Sequence, residues 1–358
     1  SSSAASDVYK RQVSGDTHYA SLWVRHGLER QLALLEVAFL LYYGRLSPSA
    51  AFLADILECG HRTQFGQRQA NASLFDADAH AKCRCIRDLL LFLAIECLNL
   101  EAALDVVPEG IAAPDDAALA PLATDPDALE RCLVQLEKAA SDVAYAPLLL
   151  SFALVLRRLD EVGSHTPLEP RLAATLDVVD HGPQIWRRLL QGAFDPSMQL
   201  FDTLHSLVTS PLLRTATRAL GASNLSALAY RAVFKGLLLT ITELVQPEYL
   251  PDLDPLVDLW CLTFRAMPGD VPDGIAALCT QFWTQDIQYP TRASLLETVR
   301  RRFPASFLPL VRLAHALSGT APDAPSPDTV AAMMNALAHV SSVALSLIHI
   351  SEPTRPER

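Results

Sequence analysis

Proline follows a helix-capping or turn-forming residue again and again along this chain: Ser47-Pro48, Asp125-Pro126, Asp195-Pro196, Ser210-Pro211, Asp254-Pro255 and Ser326-Pro327. Each pair is a start signal. Serine and aspartate oxygens accept from the first free amides of a helix, and proline in the first turn gives up only an N–H that the helix does not use. Between these breaks lie amphipathic segments: Ala128–Ala140, Pro147–Glu161, Pro170–Asp180, Met198–Val208, Leu225–Val245, Leu256–Ala266, Ile275–Gln285, Arg292–Arg302 and Ala305–Leu317. Near the start, Leu28, Leu32, Leu35, Phe39 and Tyr43 recur at helical spacing. Tyr43-Gly44 closes that helix, since glycine accepts the left-handed turn at a helix end. Ser47-Pro48 opens the next, with serine as cap and proline in the first turn.

No sustained alternation of apolar and polar residues marks a strand, so the pattern predicts an all-α fold. A globular bundle and a solenoid of stacked helix pairs both accommodate it. Pro147–Leu156 (PLLLSFALVL) is apolar on more than one face, as a helix sandwiched between neighbours requires. No strict repeat period is visible, so the expectation is an α-solenoid of stacked HEAT-like antiparallel helix pairs, with degenerate repeats. Leu32–Tyr43 is too short to span a bilayer and reads as one buried solenoid helix. Val106–Asp127, rich in Ala, Pro and Asp, reads as a long loop.

Two stretches are set aside. Ser2–Gln12 (SSAASDVYKRQ) and Leu345–Arg355 (LSLIHISEPTR) are translations of the paired adapters used in transposase-based sequencing. Residues 1–12 and 345–358 are therefore read as non-native, and 13–344 as an internal solenoid fragment with neither native terminus. The run Thr329–Ser351 resembles a membrane span only because the adapter extends it; its native part, Thr329–Ala344, contains Asn335 and His339.

The fragment, about 330 residues, is long enough for a large core or an extended array. The chain carries a formal charge of −11, and the N-terminal adapter contributes +1 and the C-terminal one 0, so the fragment is near −12. An acidic chain without long basic clusters disfavours nucleic acid and anionic membrane surfaces. Arg300-Arg301-Arg302 fits a helix C-terminal turn. Seven unevenly spaced cysteines do not form a disulfide framework and suit a reducing compartment.

The search for chemistry returns little. There is no HExxH, no phosphate-binding glycine loop, no GxGxxG and no GxSxG. Asp115-Asp116 lacks a third carboxylate where a metal motif would place one. Cys59, His61, His80, Cys83 and Cys85 carry zinc-ligand atoms, but Cys83 and Cys85 share a helix at i, i+2 and point about 200° apart. They read as small buried hydrophobes and loop histidines. Glu36 and Glu96 sit within apolar helices, where a carboxylate can become a general acid or base or can pair with a basic residue. Trp186, Trp260 and Trp283 could anchor partners but follow apolar helical patterns and read as core. The expectation is a non-enzyme with no catalytic, cofactor-binding or metal residue.

Six collinear pieces carry a resemblance: LALLEVAFLLYYGRLSPSAAFLADIL (Leu32–Leu57), QFGQRQAN (Gln64–Asn71), LLLFLAIECLNLEAAL (Leu89–Leu104), YAPLLLSFALVLRRL (Tyr145–Leu159), YRAVFKGLLLTITEL (Tyr230–Leu244) and RRFPASFLPLVRLAHALSG (Arg301–Gly319). In order and rough spacing they resemble the N-terminal solenoid of the nucleoporin-188 family, large scaffold proteins of the inner ring of the nuclear pore complex. FGQRQ and FPASFLPLVRLAHAL are the most specific pieces. The resemblance implies an α-solenoid of HEAT-like pairs with a superhelical twist, related in shape to nuclear transport receptors. It implies a structural role at the nuclear envelope, supporting pore assembly and the nucleocytoplasmic transport of protein and mRNA. Implied partners are other inner-ring nucleoporins, with FG-repeat segments and transport factors as further candidates, no nucleic acid and no direct membrane span. In the family an SH3-like insertion follows the equivalent of Phe303–Leu317, and the contact with the linker nucleoporin of the ninety-three type lies in the distant C-terminal part, so no binding residue transfers. The loop at Val106–Asp127 departs from the family pattern. The sister family of larger inner-ring solenoid nucleoporins shares the architecture. A HEAT-type adaptor or transport receptor would show the same helices without the collinear pieces. A helical enzyme would need carboxylates or histidines converging in one cavity.

Overall fold

Two of the proline pairs, Asp125-Pro126 and Asp195-Pro196, cap the turn that follows them, and Ser47-Pro48, Ser210-Pro211 and Asp254-Pro255 do not. The computed structural model describes residues 17–105, 122, 125–138, 142–163, 184–213, 225–245, 249–250, 252–265, 272–289, 291–303, 305–318, 330–331 and 333–334. Among these residues the regular structure is helical, with no strand. The segment Pro170–Asp180, the pair Asp115-Asp116, the pair Ser326-Pro327, residues 1–12 and 345–358, and most of Val106–Asp127 and Thr329–Ser351 lie outside the described residues. No helix among the described residues is long and apolar enough to cross a membrane.

The chain divides into two compact units, Ser1–Leu213 and Arg214–Arg358. The first unit holds α1 (Thr17–Gly44), α2 (Ala50–Thr63), α3 (Ala77–Cys97), α4 (Leu100–Asp105), α5 (Pro126–Lys138), α6 (Ala146–Gly163), α7 (Ile185–Ala193) and α8 (Leu200–Val208). The second holds α9 (Leu225–Leu244), α10 (Asp254–Phe264), α11 (Pro272–Thr284), α12 (Ser294–Arg302) and α13 (Leu308–Leu317).

Asp125 behaves as expected: its carboxylate accepts from the Ala128 amide at 3.0 Å, and α5 begins at Pro126. Asp195 accepts from the Ser197 amide at 2.8 Å but opens a single 3-10 turn, Pro196–Met198, before α8. The cap of α2 is Ser49, not Ser47. Ser49 is extended, at φ −104° and ψ 150°, and accepts from the Phe52 amide at 3.2 Å. Pro48 therefore precedes the cap and stiffens the extended lead-in. At α10 the pair supplies no cap: Asp254 is the first helical residue, Leu253 stands at the cap position without a side-chain bond, and Asp252 accepts from the Asp254 amide at 3.0 Å. Ser210 does not cap its own turn; its hydroxyl donates to Asp88 at 2.6 Å.

In the first unit α1 lies along α3, and α6 packs against α3, α4, α7 and α8. Burial follows from that position. Every residue from Ala146 to Leu156 is buried, so the two-faced apolar pattern of this helix has neighbours all round. The second half of α3 is alike, with Leu89 to Ile95 buried without a break. In the second unit α9 packs against α10, α11 and α12, and α10 against α13. The ring of Trp260 stacks on Phe264, centroids 5.3 Å apart, and meets Phe282 edge-on at 5.4 Å.

One expectation is overturned. Leu32–Tyr43 is not a wholly buried helix. It is the C-terminal part of a 28-residue helix that buries one side and leaves the other open. Val24, Leu28 and Phe39 are buried, whereas Leu34, Val37 and Leu41 are exposed. Leucines on both sides made the stretch look sandwiched, but among the described residues only one side meets another helix along its length.

That asymmetry predicts a paired result. Phe39→Asp should cost several kcal/mol, comparable with the stability of a whole domain, because it strands a charge in the packed face. Leu34→Asp, on the open face, should change stability by less than about 0.5 kcal/mol. Thermal melts followed by circular dichroism distinguish the two; equal losses would mean that α1 is packed on both sides.

Candidate interaction surface

The residues with ligand chemistry do not converge. His61 and His80 are exposed, Cys59 and Cys85 are half-buried, and Cys83 is buried on α3. His80 is taken by local contacts, its Nδ1 lying 2.8 Å from the Asp76 carbonyl and its ring edge-on to Phe75. Among the described residues no group of three or more His, Cys, Asp or Glu side chains could hold a metal ion. Burial raises the Cys83 thiol and pushes Cys97 and Cys132 up to about 12, which keeps these sulfurs protonated and unreactive near neutrality. Glu36 on α1 and Glu96 on α3 are both half-buried. Trp186, Trp260 and Trp283 are in the core. Trp186 donates to Asp160 at 3.1 Å, and Trp283 donates to the Leu317 carbonyl at 2.8 Å. Arg300-Arg301-Arg302 forms the last turn of α12, with Arg300 and Arg301 both reaching back to Glu297.

The FGQRQ stretch, by contrast, is built with care. Gln64, Phe65 and Gly66 occupy left-handed backbone in succession, at φ 51°, 48° and 76°. Three such residues reverse the chain between α2 and α3. Side chains and backbone on both sides hold it. The Phe65 amide donates to the Gly60 carbonyl at 2.8 Å, and the Thr63 hydroxyl accepts from the Gly66 amide at 3.1 Å. Phe65 is fully buried and meets Tyr145 edge-on at 4.7 Å. Gln67 donates to the Cys83 carbonyl at 2.8 Å, tying the turn to α3. Gly66 is required twice over: its φ is positive, and a Cβ there would sit 2.4 Å from Ile86 Cγ2.

Buried cations close the helix ends. Arg158 on α6 donates to the Ala103 carbonyl near the end of α4 at 3.0 Å. Arg231 on α9 donates to the Thr263 and Arg265 carbonyls at 2.9 and 3.2 Å, capping the C-terminus of α10. A third site is a charge network. Lys235, 1% exposed, donates to Asp286 at 2.9 Å; Arg292 lies 3.5 Å from Asp286 and 3.6 Å from Glu243. Its two cations and two anions balance. In the first unit, burial raises the Asp88 carboxyl above its usual range, while Arg87 and the Ser210 hydroxyl pull the other way. Arg25 on α1 pairs with Asp76, the cap of α3. The Ala79 amide and then Arg25 lower the Asp76 carboxyl. These groups serve structure, because each is consumed by a specific neighbour.

One side of α1 is left open. Trp23, Leu34, Val37 and Leu41 are 52, 61, 56 and 45% exposed. The missed tryptophan is the informative one: Trp23 is exposed where the other three are core. Its signal was present in the pattern, since a helix with apolar residues on opposite sides needs two neighbours. Neither a scan against protein-family models nor a search of the curated proteins returns a match to this chain.

Two predictions follow from these anchors. Gly66→Ala should cost about 1–3 kcal/mol through strain and overpacking and lower the melting temperature; an unchanged melt would mean the turn relaxes freely. Asp286→Ala should cost about 3–5 kcal/mol by stranding Lys235, and Lys235→Met with Asp286→Leu should recover part of the loss. Chemical denaturation of the three variants reads both effects.

Proposed function

We propose that this chain is part of a structural scaffold protein, an α-solenoid resembling the nucleoporin-188 family, working through protein–protein contacts in the inner ring of the nuclear pore complex. The reading is carried by one observation: FGQRQ, the most specific piece of the resemblance in the first unit, is a left-handed turn anchored on both flanking helices. A motif with that local function would be kept by fold rather than by a generic preference for leucine, which gives the collinear pieces more weight than Leu-rich helices alone. The all-helical described structure suits the same reading. Buried groups devoted to closing helix ends suit a protein whose work is to hold shape. The proposed partners are other inner-ring nucleoporins, with FG-repeat segments and transport factors beyond them, and the proposed location is the nuclear pore.

The test is recovery of the source transcript past both adapter sequences. The expected result is an open frame that continues into a β-rich insertion and then many more helix pairs, and a full-length tagged product at the nuclear rim. A stop codon soon after Ala344, or repeats without the insertion, would overturn the family reading.

A further inference from the structure

Two Ser-Pro pairs fall among the described residues, and the structure treats them in opposite ways. Ser210 is 3% exposed, and its hydroxyl donates to Asp88 at 2.6 Å. Ser47 is exposed in the connection between α1 and α2, where residues 46–49 belong to no helix or turn. The cap of α2 does not use the Ser47 hydroxyl, because Ser49 is the residue that accepts from the Phe52 amide. Pro48 turns Ser47 away from helical backbone and toward extended backbone. Between Arg45 and Asp55 the chain carries no charge. Stacked helix pairs bury the sides of their helices and leave the turns at the edge, so a pair preceding α1 would lie along its side and not over this connection.

We propose that Ser47 is a phosphoacceptor for a proline-directed protein kinase, and that Ser210, with the same motif, is not one in the folded chain. The openness of the connection in a longer protein rests on the solenoid reading above. An acceptor hydroxyl must come in line with the γ-phosphate of ATP, so the chain that carries it must run extended and clear of its neighbours. Ser47 meets that condition. Ser210 would first have to leave Asp88 and come out of the core. Proline at the next position selects the enzyme: a kinase site that offers no acceptor for the following amide takes proline, which has no N–H to strand. In the step itself an O–P bond forms at Ser47 Oγ and the bond from the γ-phosphorus to the β–γ bridging oxygen breaks. ADP leaves with that electron pair, and the hydroxyl proton passes to the kinase's carboxylate. The product carries a charge of about −2 on a stretch that had none, within reach of Arg45 two residues back. The modification therefore changes what this edge of the scaffold attracts.

The experiment incubates the full chain with a purified proline-directed kinase and MgATP and maps phosphate by mass spectrometry. Synthetic peptides spanning residues 42–52 and 205–215 supply the unfolded reference rates. Ser47 in the chain should be modified within about threefold of its peptide, and Ser210 about a hundredfold or more slowly than its own, because it reacts only from an opened state. Pro48→Ala should slow modification of Ser47 about tenfold or more, whereas Ser49→Ala should leave it unchanged and lower the melting temperature through loss of the cap. Four outcomes would overturn the proposal: no phosphate on the 42–52 peptide; Ser47 as protected in the chain as Ser210; modification of Ser47 that Pro48→Ala does not slow; or loss of Ser47 modification once the upstream sequence recovered from the transcript is restored. The transcript test is separate. A continuing nucleoporin frame with an unmodified Ser47 removes the phosphoacceptor alone, and a modified Ser47 without that frame removes the family reading alone.

Discussion

Many short helices mean many helix ends, and every end leaves backbone groups without an intrahelical partner. When the ends are buried, something must reach them. Here that task falls to charged side chains placed in otherwise apolar helices. Arg158 reaches a carbonyl of α4, and Arg231 reaches the last carbonyls of α10. A guanidinium can do this because its several N–H groups fan out in a plane while its stem packs with the core. The partial negative charge at a helix C-terminus also favours a cation there. Without those contacts the carbonyls would be buried and unsatisfied, a cost that apolar packing alone cannot remove.

The same logic extends to the buried charges that meet one another. Lys235 and Arg292 share Asp286, and Arg292 also faces Glu243. Asp88 divides its oxygens between Arg87 and Ser210. Each carboxylate and cation already has a geometric partner inside the protein. A buried pair of this kind contributes modestly to stability but makes other arrangements costly, since any slip strands a charge. It therefore specifies which helix meets which.

Helix type and rough extent were legible because they rest on local signals. Period and punctuation place α6, α9 and α12 within a residue or two. The start of α2 was misplaced because serines stand on both sides of Pro48, and local chemistry does not say which oxygen the Phe52 amide will find. Ser210 shows the opposite failure: it has the right residue type for a cap, yet a carboxylate from α3 claims its hydroxyl. No segment is predicted over Ile185–Ala193, where Arg187, Arg188 and Gln191 stand among the apolar residues; in the structure Arg187 lies over the Trp186 ring at 5.0 Å. A lone lysine inside FKGLLL is a stronger sign of a buried partner than Glu36 or Glu96, and Lys235 meets Asp286. Burial on α1 was misjudged for a physical reason too. Periodicity reveals that a helix has an apolar side, and cannot say whether a neighbour exists to cover it.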